Sequence, residues 1–271
     1  MSLEKPQKDS EFLNTLARGL SVLRAFSKEH PAMTLTEVAA RTSLSPAVAR
    51  RCLNTLVQLG YVGKQGKNFL LTPEVMSFAS AFLESMNIEE VVRPHLQDVR
   101  DRTGDSSSLA VFSNPDILYL IHVSTSRMVR LAAGVGTRFP AYATSLGRIL
   151  LAHLPDDQLD DYLATTEFLR LTDKTITDRE RLRKIILQAR QNDYATIQDE
   201  LDYGIVSVAV PIRAGTPDVV GAINCSTATS RVEPGEMLES RLPYLREAAR
   251  EIEIELRRYP ALVHSIRAQS R

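Results

Sequence analysis

Cysteine is scarce and tryptophan is absent from these 271 residues. The two cysteines, Cys52 and Cys225, lie far apart, which excludes a disulfide framework and any CxxC metal site and fits a reducing cytosol. The missing tryptophan by itself decides nothing. No apolar run approaches the ~18 residues that a membrane span needs. Met1-Ser2-Leu3-Glu4-Lys5-Pro6 also lacks the apolar stretch of a signal peptide, so a cytoplasmic protein with no membrane partner is expected. Five histidines are scattered without HxxxH or HExxH spacing, and no metal site is expected. Ser145 has no G-x-S-x-G context, and Gly134-Val135-Gly136 lacks the third glycine and following helix of a dinucleotide loop. Neither a catalytic nucleophile nor a cofactor is therefore expected.

The charge balance is zero overall but not locally. From Phe12 to Thr72 there are eight basic residues (Arg18, Arg24, Lys28, Arg41, Arg50, Arg51, Lys64, Lys67) against Glu29 and Glu37, which makes this segment +6 and the remainder −6. A basic segment on an acidic body points to a polyanion that meets the segment alone, although charge clusters are also common on solvated faces.

Periodicity organises the chain. Leu13, Leu16, Leu20, Leu23 and Phe26 share one face of a predicted helix, which His30-Pro31 ends. Thr34-Leu35-Thr36-Glu37 reads as a capping box that opens a short helix to Arg41. After a Thr42-Ser43-Leu44 turn, Ser45-Pro46 starts a second helix, with Gly60 as its stop. Tyr61–Lys64 and Lys67–Leu71 flank a Gln65-Gly66 turn as a hairpin. Glu74 to Met86 is predicted as an apolar connecting helix, and Ile88 to Gly104 as another helix. Strands are predicted at Ser107–Phe112, Ile117–Ser124 and Met128–Ala133, and then a loop at Gly134–Ala143. A helix follows from Thr144 or Ser145 to before Pro155, with further helices at Asp156–Leu163 and Asp178–Asn192. Three more strands, at Tyr194–Gln198, Val206–Ile212 and Val219–Cys225, precede a closing helix at Pro234–Arg258. Helices interleaved with hairpins indicate an α+β fold on a mostly antiparallel sheet. Asp98, Asp101 and Asp105 read as solvated surface charges and a cap.

Two short helices joined by a tight turn set the second into the DNA major groove when its outer face carries long donors. On the predicted helix from Pro46 to Leu59, Val48, Cys52, Leu53, Leu56 and Leu59 form the inward stripe. Ala47, Arg50, Arg51 and Asn54 face outward, with Ser45 at the start. Arginine bonds guanine and asparagine bonds adenine through paired donors and acceptors. Lys64 and Lys67 at the hairpin suit phosphate or minor-groove contact. Double-stranded DNA is the expected partner of this winged helix-turn-helix.

Several ordered motifs resemble the IclR family. Leu16-Ala17-Arg18-Gly19-Leu20, the run from Ala47 to Leu56 and Leu59-Gly60-Tyr61 resemble its winged-helix domain. Pro140 to Ala152, Gln198-Asp199-Glu200-Leu201 with Gly204, Ser207 to Ile212 and Ala222 to Thr227 resemble its effector domain. Arg50-Arg51-Cys52-Leu53, Tyr142-Ala143-Thr144-Ser145 and Asn224-Cys225-Ser226-Thr227 are similar to the subgroup controlling aromatic-acid catabolism through the β-ketoadipate pathway. The resemblance covers about residues 12–258. It implies a winged helix-turn-helix at 12–72, a linker helix at 73–87 and a GAF-like effector domain at 88–258. It also implies homodimers or homotetramers, and a ligand such as protocatechuate, 4-hydroxybenzoate, muconate or β-ketoadipate.

A helix beginning at Thr144-Ser145-Leu146-Gly147 offers free N–H groups and the positive end of its dipole to an anion. An effector carboxylate is expected there, at Ser145, Leu146 and Gly147, with Thr144 as cap. The resemblance adds Ser145, Leu146, Ile205 and Ser207 as ligand-lining positions, and Asn224 and Ser226 are polar candidates for the same cavity. Arg148 either assists or points to solvent or a partner. The competing class is an enzyme that uses a GAF-like domain on a small acid, against which stands the lack of a Cys/His pair or metal spacing. A scaffold that binds DNA without sensing is the third reading.

Overall fold

The structure is a computed structural model, and it describes residues 11–125, 133–232 and 235–269. The chain divides into two compact units, Met1–Phe82 and Leu83–Arg271.

The first unit runs α1 (Asn14–Arg24), β1 (Ala32–Thr34), α2 (Leu35–Arg41), α3 (Pro46–Gln58), β2 (Val62–Gln65) and β3 (Asn68–Leu71). The capping box is present: the Thr34 hydroxyl accepts from the Glu37 N–H, and the Glu37 carboxylate accepts from the Thr34 N–H at 2.7 Å. Ser43, at φ 53°, turns the chain between α2 and α3. The hairpin β2–β3 turns at Gly66, whose φ of 61° suits a residue without a Cβ. Beside it lies β1, a strand that sequence patterning does not reveal; it pairs antiparallel with β3 and sends Met33 into the core. Three residues are too short to carry a period, and only β3 makes them a strand.

The core of this unit gathers Val22, Met33, Val38, Leu53, Leu56, Val62 and Phe69. Two apolar stripes differ from expectation. On α3, Ala49, Leu53 and Leu56 are buried, Val48 and Cys52 are half-buried, and Leu59 is 60% exposed. On α1 only Val22 is fully buried, whereas Leu13, Leu16 and Leu20 are exposed. The leucine periodicity of α1 is real, but most of it faces out of the unit. A 3₁₀ turn at Pro73–Val75 leads into α4 (Met76–Met86), which buries no residue.

The second unit begins with α5 (Ile88–Thr103), β4 (Ser106–Ser113), β5 (Asp116–Val123) and β6 (Arg138–Pro140). Next come α6 (Ser145–Ala152), α7 (Asp156–Thr165), α8 (Arg179–Asn192), β7 (Ala195–Gln198), β8 (Ile205–Arg213) and β9 (Val219–Ala228). The described chain closes with α9 (Glu236–Ser240), α10 (Leu242–Leu256) and α11 (Pro260–Gln269). The six strands form one antiparallel sheet in the order β6-β5-β4-β9-β8-β7. The fold is α+β. Helix α6 packs on one face of the sheet, and α5 and α10 pack on the other.

The α6 face is made of small residues in its middle. Ala110, Ala222, Ala209 and Ala195 join Leu146, Ile149 and Leu150 of α6 in one core cluster. Small side chains on the strands let the helix backbone come close. Gly147 illustrates the limit, because a Cβ there would lie 2.1 Å from the Ala141 carbonyl oxygen.

Other expectations need correction. The loop from Gly134 to Ala143 contains β6, which pairs with β5, and a 3₁₀ turn at Ala141–Ala143. Of the strand expected at Met128–Ala133, residues 128–132 lie outside the described residues and Ala133 is not in a strand. The closing helix is broken at Arg241, with a proline in the first turn of α10; Pro234 lies outside the described residues. Asp98 and Asp101 are solvated, but Asp105 is fully buried. Its carboxylate accepts from Arg231 and, at 3.0 Å, from Arg241 Nε. Two arginines distant in sequence neutralise it, which local patterning does not disclose. Close by, burial pushes the Cys225 thiol up to about 12, with the Asp105 charge acting in the same sense, so this cysteine stays a protonated packing residue. Among the described residues, no helix is long and apolar enough to cross a membrane.

Candidate functional site

The helix-turn-helix presents a polar outer face. Ser45, Ala47, Arg50, Arg51 and Asn54 are all exposed, because the opposite side of α3 is held by Ala49, Leu53 and Leu56. Ser45 occupies the N-cap position of α3 without a side-chain cap bond, and Pro46 fixes the first turn. Arg51 also lines an apolar groove of about 690 Å³ in this unit, together with Leu13, Leu16, Leu20, Leu59 and Phe78. Lys64 and Lys67 are exposed at the hairpin, where the Lys64 ammonium lies 5.9 Å from the centre of the Phe69 ring. The outer face of α3 and the hairpin tip thus carry guanidinium, amide and ammonium donors, the set that phosphates and base edges need.

The second unit brings the effector candidates together. Thr144 caps α6, its hydroxyl accepting from the Gly147 N–H at 2.9 Å. The Arg148 N–H bonds the Thr144 carbonyl. The N–H groups of Ser145 and Leu146 lie ahead of the helical hydrogen-bond ladder. The Ser145 hydroxyl is 2.7 Å from the Ser207 hydroxyl, and both residues are buried. Antiparallel register sets Ser207 opposite Ser226, and Asn224 opposite Ala209 and Ser108. With period-two alternation, Ile205, Ser207, Asn224 and Ser226 all belong to the α6 face of the sheet. Asn224 is buried, and its Oδ1 has no hydrogen-bond partner among the described residues. A buried amide oxygen left unpaired is costly, and it marks a place where a further donor fits.

Arg148 does not follow the sequence expectation. Its side chain is buried and points neither to solvent nor to a partner. It bonds both oxygens of Glu200 (2.7 and 2.5 Å) and the Tyr142 carbonyl (3.0 Å). The Glu200 carboxylate also accepts from the Ile176 N–H at 3.3 Å. This pair ties the α6 segment to the chain beyond β7 and engages the Arg148 guanidinium fully with Glu200.

Sequence reasoning missed two polar neighbours on the same face. The Ser108 hydroxyl is 2.9 Å from His122 Nδ1. A bulge in the β4–β5 ladder after Leu109 puts Tyr119 opposite Ala110 while His122 stays opposite Ser108. Residues three apart on β5 therefore share a face, and simple alternation cannot show that.

Comparison with known proteins agrees with both halves. Residues 15–66 match the IclR helix-turn-helix domain, and residues 80–254 match the bacterial transcriptional regulator IclR C-terminal model. The chain is 36% identical over 245 residues to the Pca regulon regulatory protein of Pseudomonas putida, covering 90% of this chain and 84% of the relative. It is 31% identical over 250 residues to the p-hydroxybenzoate hydroxylase transcriptional activator of Acinetobacter baylyi, covering 90% and 92%. An IclR homolog from Microbacterium hydrocarbonoxydans, solved in complex with 4-hydroxybenzoate, superposes with a TM-score of 0.75 at 27% identity, covering 90% of this chain and 99% of that one. A helix-turn-helix with a donor-rich outer face, followed by a domain that matches the IclR C-terminal family, has one reading: the chain belongs to the IclR family and is a DNA-binding transcriptional regulator.

Proposed function

We propose that this regulator senses a small carboxylic acid, an aromatic acid or an intermediate of its breakdown, and alters operator binding in response. The observation that carries this reading is the Ser145–Ser207 hydroxyl contact at the head of α6, with the unpaired Asn224 oxygen on the same sheet face. The carboxylate sits at the N–H groups of Ser145 and Leu146 and the two hydroxyls, with Thr144 and Gly147 shaping the turn and Ile205, Asn224 and Ser226 lining the remainder. Relatives named for the Pca regulon and for p-hydroxybenzoate hydroxylase, and a 4-hydroxybenzoate complex, direct the choice of acid. The domain binds its ligand and returns it unchanged, and the protein acts in the cytoplasm, where its operator is. A thermal-shift screen against protocatechuate, 4-hydroxybenzoate, muconate and β-ketoadipate tests it, because a specific ligand stabilises the folded state. No stabilisation by any of these acids would sink the reading.

On DNA, Ser45, Ala47, Arg50, Arg51 and Asn54 face the major groove, and Lys64 and Lys67 meet the backbone. Arg50→Ala is expected to weaken specific operator binding by about 1–3 kcal/mol and to relax selectivity. Losing Lys64 or Lys67 weakens binding to every duplex alike and lowers the salt slope by about 1. Footprinting with salt titration checks both. Unchanged operator affinity in a folded Arg50→Ala/Arg51→Ala double variant contradicts the assignment.

The apolar face of the first unit serves a second copy. Exposed Leu13 just before α1, Leu16 and Leu20 on α1, Leu59 after α3, and Met76 and Phe78 near the start of α4 form more apolar surface than a monomer needs. A homodimer or tetramer then sets two recognition helices on a palindrome-like operator. Sedimentation of the wild type is expected to give at least a dimer, and Leu16→Glu should weaken operator binding although the residue lies off the DNA face. A monomer that binds its operator at full affinity is the contrary result.

A further inference from the structure

The sheet face under α6 carries more polar chemistry than one carboxylate uses. His122 on β5, Ser108 on β4 and Asn224 on β9 stand directly opposite one another across three neighbouring strands. Ser108 and Asn224 are buried and His122 is half-buried. The Ser108 hydroxyl occupies His122 Nδ1, which leaves Nε2 as the second polar atom of the ring. Asn224 Oδ1 has no partner among the described residues. Aromatic rings bound this row: the Tyr119 ring centre is 6.4 Å from the imidazole centre, and Phe139 meets Tyr119 edge-on at 5.5 Å. Elsewhere the same face is filled by alanines at 110, 209 and 222. Ser108 and His122 bond each other, but the Asn224 oxygen beside them is costly to bury unless a donor reaches it.

Asn224 stands on the strand beside Ser207, and the His122 end of the row lies apart from the head of α6. His122 and Ser207 are three strands apart in the sheet, which is roughly 14 Å between backbones. A small ring compound with a polar group and a hydrogen bond at each end spans a distance of that order. We propose that His122, Ser108 and Asn224 form a second pole of the effector site, one that reads a hydroxyl group on the acid at the end away from its carboxylate. This rests on the reading of the α6 head as the carboxylate site.

Charge selects a hydroxyl over a second carboxylate. Burial and the nearby Arg93 guanidinium hold the His122 imidazole below its usual range, so it is neutral at physiological pH. Whichever tautomer Ser108 sets, the ring offers either a donor or an acceptor at Nε2, and a hydroxyl meets both. A neutral imidazole, a serine hydroxyl and an amide suit an uncharged hydroxyl better than a second carboxylate, which none of the three neutralises.

Calorimetry on the full-length protein with 4-hydroxybenzoate and benzoate separates the two poles. The wild type is expected to prefer the hydroxylated acid by about tenfold or more, since a site built to bond a hydroxyl rejects the analogue lacking it. His122→Ala should bring the two affinities within about threefold of each other by weakening 4-hydroxybenzoate, with benzoate binding held. Ser108→Ala should move the ratio the same way, and it keeps the test decisive if the histidine variant does not fold. The imidazole ¹⁵N signals of His122 should shift on adding 4-hydroxybenzoate and stay in place with benzoate. If the wild type binds both acids equally, or both variants keep the preference, the second pole is overturned while the carboxylate site stands. If the wild type binds neither acid, the second pole is overturned, and the effector reading falls with it only if the thermal-shift screen of the other acids is negative as well.

Discussion

Arg148→Ala is expected to destabilise the second unit by about 3–5 kcal/mol, because it strands the buried Glu200 carboxylate without its cation. The guanidinium and carboxylate side chains are 3% and 8% exposed, so water cannot replace the lost partner. Two further acceptors, the Tyr142 and Thr196 carbonyls, lose their donor in the same step. Replacing both members, as Arg148→Met with Glu200→Leu, should recover most of the loss, since an apolar pair of similar volume removes the uncompensated charge. Hydrogen exchange of the β8 amides reports on this unit directly and avoids a two-state treatment of a two-unit chain. A loss below about 1 kcal/mol in Arg148→Ala would show that the pair is solvated in solution, which is the range for exposed ion pairs.

Ser207→Leu and Ser145→Pro are each expected to abolish effector binding while operator recognition persists. Leucine at position 207 fills the space opposite Ser145 and Ser226. Proline at position 145 is a cleaner probe. Ser145 is the first residue of α6, where proline is tolerated, and Thr144 already holds the extended conformation that a following proline requires (φ −126°, ψ 149°). The helix therefore survives, but one N–H and one hydroxyl leave the site together. Hydrogen bonds to a charged group contribute about 1.5–3 kcal/mol each, so the loss should reach roughly a hundredfold or more. The recognition helix lies in the other unit, so basal operator binding is untouched. Coupling is reciprocal at equilibrium: if the acid changes operator affinity by some factor, operator DNA changes acid affinity by the same factor in the wild type. Calorimetry with 4-hydroxybenzoate, with and without operator DNA, measures both. Wild-type affinity in either variant would move the carboxylate site away from the head of α6.

Much of this molecule is legible in the residues themselves, where the physics is local. The Thr34–Glu37 capping box, the Ser45-Pro46 start of α3 and the glycine turn of the β2–β3 hairpin are set by a few neighbouring side chains and backbone torsions. The polar outer face of α3 follows from helical period, and the order of helices and hairpins gives an antiparallel α+β sheet. Motifs in sequence order suffice for the family.

Other features depend on partners that only folding brings together. A three-residue strand such as β1 exists because β3 lies beside it. The leucine stripe of α1 signals an apolar face, but not that most of this face stays outside the unit. Asp105 and Arg148 look like surface charges in sequence, and counter-charges at Arg231, Arg241 and Glu200, distant along the chain, allow them to be buried. The row of His122, Ser108 and Asn224 needs the register of three strands and a bulge on β5 that breaks alternation. Propensity, capping and period act over a few residues and are written in the sequence directly. Burial of charge, strand register and the shared face of a sheet arise between distant segments, and so the tertiary structure alone decided them.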